Sequence, residues 1–403
     1  VISNESFFEP LTNVIQYLKV RGTWGQVGNS QISGRRFAYL ATVTDSSSTS
    51  YTFGKNMDQN YGTTAIDEYA VDVTWEVADK TDIGVDMRLL NNKLNLQFDY
   101  FKESREGIYL RRSSIPSYVG MINNPYGNIG KVENKGFELS VNYANSWGGD
   151  WSLSLMGNYS FNRNKVLEDD STVVYPWQNT IGNKVGQRFG LVALGLFESY
   201  GEIAASPVQT GDTRPGDIKY KDINGDGKID EYDKVPIGWG SVPEIMYGFG
   251  FSVGWKNLSL TAMFQGAAHV DAMLSGEGVL PFSQGSSRGN LLSNITDRWT
   301  EENPRQNAFY PRLSIGNINM NYEESTWWLK DTDYLRLKNI ELSYRLPDHW
   351  MKRIHLDNAR IFIQGVNLLT FSSFKIWDVE LGDGRGARYP NIASVSLGVN
   401  FNF

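Results

Sequence analysis

From Thr81 onward apolar and polar residues take alternate positions. Thr81, Ile83, Val85, Met87 and Leu89 alternate with Asp82, Gly84, Asp86 and Arg88. After Asn91-Asn92 the pattern resumes, with Leu94, Leu96, Phe98 and Tyr100 set against Asn95, Gln97 and Asp99. A period of two puts one set of side chains on one face of a strand, and two such runs about an Asn-rich turn predict a β-hairpin. Phe137, Leu139, Val141 and Tyr143 lead in the same way through Gly148-Gly149 to Trp151, Leu153, Leu155, Gly157, Tyr159 and Phe161. Tyr247, Phe249, Phe251, Val253 and Trp255 lead through Lys256-Asn257 to Leu258, Leu260, Ala262 and Phe264. The chain ends on Val395, Leu397, Val399, Phe401 and Phe403 alternating with Ser394, Ser396, Gly398, Asn400 and Asn402. Strands are expected at 17–27, 36–43, 81–90, 93–102, 136–145, 150–162, 187–197, 245–255, 258–268, 333–346, 359–370 and 393–403. The Ser46-Ser47-Ser48-Thr49-Ser50 run reads as a flexible loop tip.

The clear strands run about nine to eleven residues, the length a tilted strand needs to cross a bilayer, whereas sandwich strands average about five or six. Tight turns alternate with long connections, from Phe101 to Lys135, Phe161 to Met246 and Phe264 to Tyr334. Outer-membrane barrels are built this way, with short turns on one side and long loops on the other. Aromatic residues gather at the strand ends, at Tyr100-Phe101, Tyr143, Trp147, Trp151, Tyr159, Phe161 and Trp255, where interfacial girdles require them. The fold class is therefore all-β, a transmembrane antiparallel barrel with long extracellular loops. A large soluble sandwich or propeller is the competing reading.

Composition narrows this further. The 403 residues carry 38 Lys and Arg against 45 Asp and Glu, a net charge of −7, which opposes nucleic-acid binding. There is no Cys, which removes disulfides, thiolate catalysis and Cys-ligated metal. Mean hydropathy is −0.38. The longest uncharged apolar run, Phe189 to Phe197, is half the length of a membrane helix, which needs about 18 residues. The chain opens on Val1 with no leader pattern, and reads as a piece of a longer polypeptide.

One local motif carries chemistry. Over residues 222–233, Asp222, Asn224, Asp226, Asp230 and Asp233 fall at positions 1, 3, 5, 9 and 12 of a calcium loop. Gly227 takes position 6, and Lys228 offers its backbone carbonyl. The flanks are not helical, so a calcium ion here would be structural. Enzyme signals are weak. Gly285-Ser286-Ser287-Arg288-Gly289 matches a nucleophile elbow and is followed by Asp331, Asp333, His349 and His355, but no buried strand precedes it. The acidic pairs Asp169-Asp170, Glu301-Glu302 and Glu323-Glu324 read as solvated loop charges. Trp177, Trp239, Trp299, Trp327, Trp328 and Trp377 lie in loops, as packing residues or stacking platforms for a ligand.

A series of segments resembles a known family. Val73-Thr74-Trp75-Glu76 runs into the 81–101 hairpin, and Gly130-Lys131-Val132-Glu133-Asn134-Lys135-Gly136-Phe137-Glu138-Leu139 follows. Pro215-Gly216-Asp217-Ile218-Lys219-Tyr220 precedes the 222–233 loop. Arg298-Trp299-Thr300, Tyr334-Leu335-Arg336-Leu337-Lys338-Asn339, Gly365-Val366-Asn367-Leu368-Leu369-Thr370 and Asn400-Phe401-Asn402-Phe403 complete it. In this order they resemble the C-terminal half of the SusC/RagA family of TonB-dependent outer-membrane transporters. The resemblance implies that residues 1–403 form the C-terminal part of a 22-stranded barrel, with the plug domain and TonB box outside this chain. It further implies a SusD-type surface lipoprotein as lid, energy from TonB–ExbB–ExbD, and no enzyme activity. The expected cargo is a nutrient oligomer, with an oligosaccharide favoured and an oligopeptide as the alternative. A calcium-stabilised surface adhesin is the remaining reading.

Overall fold

The computed structural model describes residues 1–31, 37–57, 59–119, 121–283, 291–316, 318–353 and 356–402. Ten antiparallel strands form one sheet in which every neighbour in space is a neighbour in this order. They are β1 (Ile15–Asn29), β2 (Glu76–Leu89), β3 (Leu94–Arg111), β4 (Tyr126–Trp147) and β5 (Trp151–Glu168). The series continues with β6 (Ile245–Trp255), β7 (Leu258–Ala268), β8 (Tyr334–Arg345), β9 (Asn358–Ser372) and β10 (Ser394–Asn402). The predicted turns close as their residues dictate. Asn91 and Asn92 sit at φ 58° and 63° in the connection 90–93, and Gly148 and Gly149 at 62° and 74° in the connection 148–150, in the left-handed region that Asn and Gly reach most readily.

Register sorts the side chains onto two faces. Trp151, Leu153, Leu155, Tyr159 and Phe161 on β5 stand opposite Trp255, Val253, Phe251, Tyr247 and Ile245 on β6. Trp255, Val253 and Phe249 in turn stand opposite Leu258, Leu260 and Phe264 on β7. The other face carries Ser152, Ser154, Asn158, Ser252, Ser259 and Gln265. Two aromatic bands bound the apolar face. Trp151 and Trp255, 6.0 Å apart, mark the tight-turn end; Phe137 with Tyr159 at 5.7 Å, and Phe249 with Phe264 at 5.0 Å, mark the other. Ten residues separate Trp151 from Phe161, about 33 Å along the strand and roughly 25 Å along the membrane normal once tilted. That matches the apolar band of an outer-membrane barrel. On the polar face Arg21 of β1 reaches Asp86 at 3.3 Å and Asp99 at 2.6 Å, tying β1 to β2 and β3.

Three expectations are corrected. β3, β4 and β5 are 18, 22 and 18 residues long and run well past the bilayer. The connection between β3 and β4 is accordingly only 112–125. Above the apolar band these strands carry charge ladders, Lys80–Glu103 at 3.2 Å, Lys102–Glu133 at 2.8 Å and Arg105–Glu76 at 2.9 Å, which water favours and lipid does not. The 187–197 run is not a wall strand. It breaks into Arg188–Gly190 and Ala193–Leu196 in loop sheets, with Leu191, Leu196 and Phe197 buried. Being apolar at successive positions rather than alternate ones, it is suited to burial on all sides. Of the expected 36–43 strand, residue 36 lies outside the described residues and 37–41 form a turn rather than a strand. The strand here begins at Thr42 and runs to Phe53, paired with Gln59–Glu68, so Ser46–Ser50 is strand rather than tip.

An arginine on the apolar face at mid-height should be costly, and one on the polar face should not. Leu155→Arg in the full-length protein is expected to lower unfolding free energy in liposomes by about 2–4 kcal/mol, with Ser154→Arg much less affected. Equal losses in urea titration would mean that the faces are assigned wrongly.

Candidate functional site

The buried hydrophobic core lies outside the wall, in the long loops. Leu191, Leu196, Ile218, Tyr220 and Ile229 from the β5–β6 loop pack with Trp299, Tyr310 and Trp328 from the β7–β8 loop and with Phe374 and Val379 from the β9–β10 loop. Three connections therefore fold into one body at the same end of the wall. Its polar centre is Asp217, which is 1 % exposed. Both of its carboxylate oxygens accept from Arg312, at 2.9 Å each, and Oδ1 also accepts from Asn321 Nδ2 at 2.9 Å. Asn321 Oδ1 takes the Ile218 amide at 2.8 Å, and its carbonyl takes the Trp328 indole N–H at 2.7 Å. Gly216, at φ 87°, lets the chain lie on Trp299, where any Cβ would collide with the ring. The Pro215-Gly216-Asp217 and Arg298-Trp299-Thr300 motifs, which belong to different loops, thus meet in space at one contact.

The predicted calcium loop is part of this body. Asp222 Oδ1 and Oδ2 accept from the Gly225 and Gly227 amides at 2.6 and 2.9 Å. Asn224 Oδ1 accepts from Asp226 N at 3.0 Å, and Asp226 Oδ1 from Lys228 N at 2.9 Å. Asp230 Oδ1 accepts from Tyr232 N at 2.8 Å. Asp233 is fully buried and closes the loop, taking Ile223 N at 2.7 Å and Asp230 N at 2.9 Å. Gly225 and Gly227 supply the reversal at φ 77° and 82°. Asp233 Oδ1 is doubly engaged, taking the Asn224 amide at 3.4 Å as well, whereas the Asp222, Asp226 and Asp230 oxygens in these bonds each keep a lone pair of the kind a hard cation takes. Among the described residues no three His, Asp or Glu side chains converge into a metal-holding cluster, so the oxygens face their own backbone. Tyr175 and Trp177 stack at 4.6 Å beside this loop, where the Trp177 indole donates to the Tyr232 carbonyl at 2.8 Å and Gln178 to the Glu231 carbonyl at 3.0 Å.

Charged seams fasten the loop body to the wall. Arg188 pairs with Asp271 and, at 2.5 Å, with Asp383, joining all three loops. Arg336 of β8, 2 % exposed, holds Asp378 at 2.7 Å and Glu380 at 2.8 Å. Glu244, just before β6, meets Arg163 at 2.6 Å, Lys184 at 2.9 Å and His269 at 3.1 Å. Burial pushes the Glu244 carboxyl up, but these three donors outweigh it and hold it down at about 2. The Asp169-Asp170 pair is structural rather than solvated: Asp170 holds Ser114 Oγ at 2.7 Å and Asp169 holds Ser171 Oγ at 2.6 Å. Apart from Asp217 and Arg336, which stand in recognisable motifs, most of these charges are single residues that give no sequence signal.

A cavity of about 710 Å³ opens between the polar face of β3–β5 and the strap 180–189. Ile108, Leu110, Val132 and Val166 form its apolar floor, and Asn134 and Asn162 stand on its wall. The Asn134 side-chain oxygen is buried there without a hydrogen-bond partner. The described residues do not assemble a hydrolase. Residues 285–289 and His355 lie outside them. Asp333 and His349 flank β8 at opposite ends, about 40 Å apart along an extended strand.

A sheet with one apolar and one polar face, tight turns at one rim and packed loops at the other defines an outer-membrane β-barrel wall. Residues 11–368 match the family described as "TonB dependent receptor-like, beta-barrel", and the chain belongs to that family. It is similar to TonB-dependent receptor P3 of Formosa agariphila, 28 % identical over 433 residues, and to TonB-dependent receptor SusC of Bacteroides thetaiotaomicron, 25 % identical over 420. All of this chain aligns in both cases, but it spans only 41 % and 39 % of those proteins. Among solved structures, the RagAB peptide importer in its "open-open" state superposes with a TM-score of 0.72 over all of this chain and 42 % of that one, at 21 % identity, and so shares the fold. The SusC/RagA-type resemblance and the outer-membrane location read from the sequence both hold.

The Glu244 seam should make loop docking acid-sensitive. Because its carboxyl is depressed, its contribution is whole above the ordinary value of 4.5 and drains as pH falls toward 2. Pepsin cleavage of the loops is expected to rise across that window in the wild type, and to be high throughout it in Glu244→Gln. A flat wild-type profile would remove the seam from the docking energetics.

Proposed function

We propose that this chain is the loop-bearing wall of an importer that takes up a nutrient oligomer across the outer membrane. The carrying observation is the division of the sheet into a lipid face and a polar face beneath a packed loop body. A lumen lined by Ser, Asn and Gln passes a polar solute without binding it tightly, and the inner cavity under 180–189 offers a place to hold it. An oligosaccharide is the leading cargo class: Trp239, half-exposed at the rim and stacked on His269, is a ring of the kind sugars lie on. The free edges β1 and β10 are to be closed by further strands of a longer polypeptide, which would also carry the plug and the segment engaging TonB–ExbB–ExbD. A SusD-type lipoprotein would sit over the loop body.

Purifying the native full-length complex in mild detergent tests this. A heat-modifiable barrel with a stoichiometric lipoprotein is expected, and mass spectrometry of any retained oligomer assigns the cargo as glycan or peptide. A lone species that needs no detergent would overturn the importer.

We also propose that 222–233 holds a calcium ion through Asp222, Asn224, Asp226, Asp230, Asp233 and the Lys228 carbonyl, stiffening the loop body. Tyr232, inside the loop, provides an optical reporter. Terbium luminescence excited through Tyr232 should appear, be displaced by calcium, and vanish in the Asp226→Ala/Asp230→Ala double variant. Unchanged luminescence in that variant would remove the site.

A further inference from the structure

A second cavity, of about 610 Å³, lies where the loop strand Leu329–Asp331 meets the chain leaving β9. Its walls include Leu292, Phe309, Phe374 and Ile376, and Lys330 and the more exposed Lys375 share the lining. The Lys330 ammonium donates to the Trp327 carbonyl at 2.7 Å and lies 5.4 Å from the centre of the Phe309 ring. Among the described residues no carboxylate stands within ion-pair distance of it. Three other lysines of the loop body have one: Lys184 has Glu244 at 2.9 Å, Lys219 has Glu202 at 2.5 Å and Lys234 has Glu231 at 2.8 Å. Asp331, next in the chain and also on the lining, accepts the Asp333 amide at 2.8 Å and makes no pair with Lys330.

A cation withdrawn from water without a counter-charge is unfavourable, and burial alone pushes the Lys330 ammonium below its usual range. An anion entering the cavity would compensate that charge through a charge-assisted hydrogen bond. Further donors stand beside it. Ser293 lines the cavity, as does Asn294, whose side-chain NH₂ has no hydrogen-bond partner among the described residues. The phenyl rings of Phe309 and Phe374 leave room for an apolar flank on the same ligand.

We propose that this cavity is an oxyanion-binding pocket, taking a carboxylate, sulfate ester or phosphate monoester carried on a molecule with an apolar face. The group could be supplied by an acidic cargo oligomer or by a phosphorylated lipid of the surrounding leaflet; the pocket recognises the oxyanion they share. This goes beyond the importer reading, because it stands on the cavity and its unpaired ammonium alone.

The test uses the full-length transporter in detergent, titrated by calorimetry with trigalacturonate and with neutral maltotriose, while co-purifying lipid A is quantified by mass spectrometry. Trigalacturonate is expected to bind at least about tenfold more tightly than maltotriose, with Lys330→Met abolishing that preference and Lys330→Arg retaining it. Loss of lipid A from Lys330→Met, with no trigalacturonate binding in either protein, would support the pocket and assign its anion to the lipid. Should Lys330→Met not fold, Ser293→Asp places a carboxylate in the lining and should abolish the same binding while leaving Lys330 in place. Unchanged trigalacturonate and lipid A in a heat-modifiable variant would overturn the proposal, as would equal binding of the neutral sugar.

Discussion

A backbone amide carried into hydrocarbon has no water to bond, and leaving it unpaired costs several kcal/mol. Every feature of the wall follows from that constraint. Each of the ten strands bonds its neighbours along its length, and the chain meanders so that each hairpin supplies the next partner. Once the backbone is paired, only side chains decide which face meets lipid. The period of two then separates Leu153, Leu155 and Tyr159 from Ser152, Ser154 and Asn158, with Met156 the one apolar side chain on the polar side of this part of β5. The aromatic bands at Trp151 and Phe161 fall where the constraint ends.

Beyond those bands water is available again, and the construction changes. β3, β4 and β5 continue as charged ladders, and the three longest loops assemble a conventional buried core around Trp299, Tyr310 and Trp328. The same molecule thus carries an inside-out sheet and an ordinary globular body. They are joined by charges as well as by apolar contact at Tyr334 of β8. Arg188, Glu244 and Arg336 each bridge several segments, and all sit at the wet rim. Buried ion pairs add little net stability compared with apolar packing, but removing one partner is strongly destabilising, so such seams fix geometry more than they add to stability.

The loop body also links parts that the chain keeps distant. The 222–233 loop holds Trp177 and Gln178 by its backbone carbonyls, and those residues lead directly into the strap roofing the inner cavity. Whatever stiffens one therefore restrains the other. Gly216 against Trp299 and Asp217 against Arg312 perform the same service between the β5–β6 and β7–β8 loops.

Much of the wall was legible in the residues, because side-chain alternation and turn chemistry are local properties of the chain. Asn91-Asn92 and Gly148-Gly149 state their turns, and the alternating runs state their faces. The 222–233 ligand spacing is local too, which is why the loop could be located before its fold was known. Other features depended on partners distant in sequence. The 187–197 run is apolar enough for a strand, and only packing with Tyr310 and Trp328 made it core. The strand around Ser46–Ser50 formed because Thr42–Ser46 and Tyr51–Phe53 pair with the Gln59–Glu68 segment on either side of an irregularity, which the run's own composition does not announce. Lys330 looks like any surface lysine until two loops close around it without bringing a carboxylate within ion-pair distance among the described residues. Residue order alone settled what each side chain prefers one or two positions away: strand period and turns. Which charges are paired, which apolar runs are buried and where cavities remain were settled by folding in three dimensions, because burial and ion pairing depend on groups far apart in the chain meeting in space.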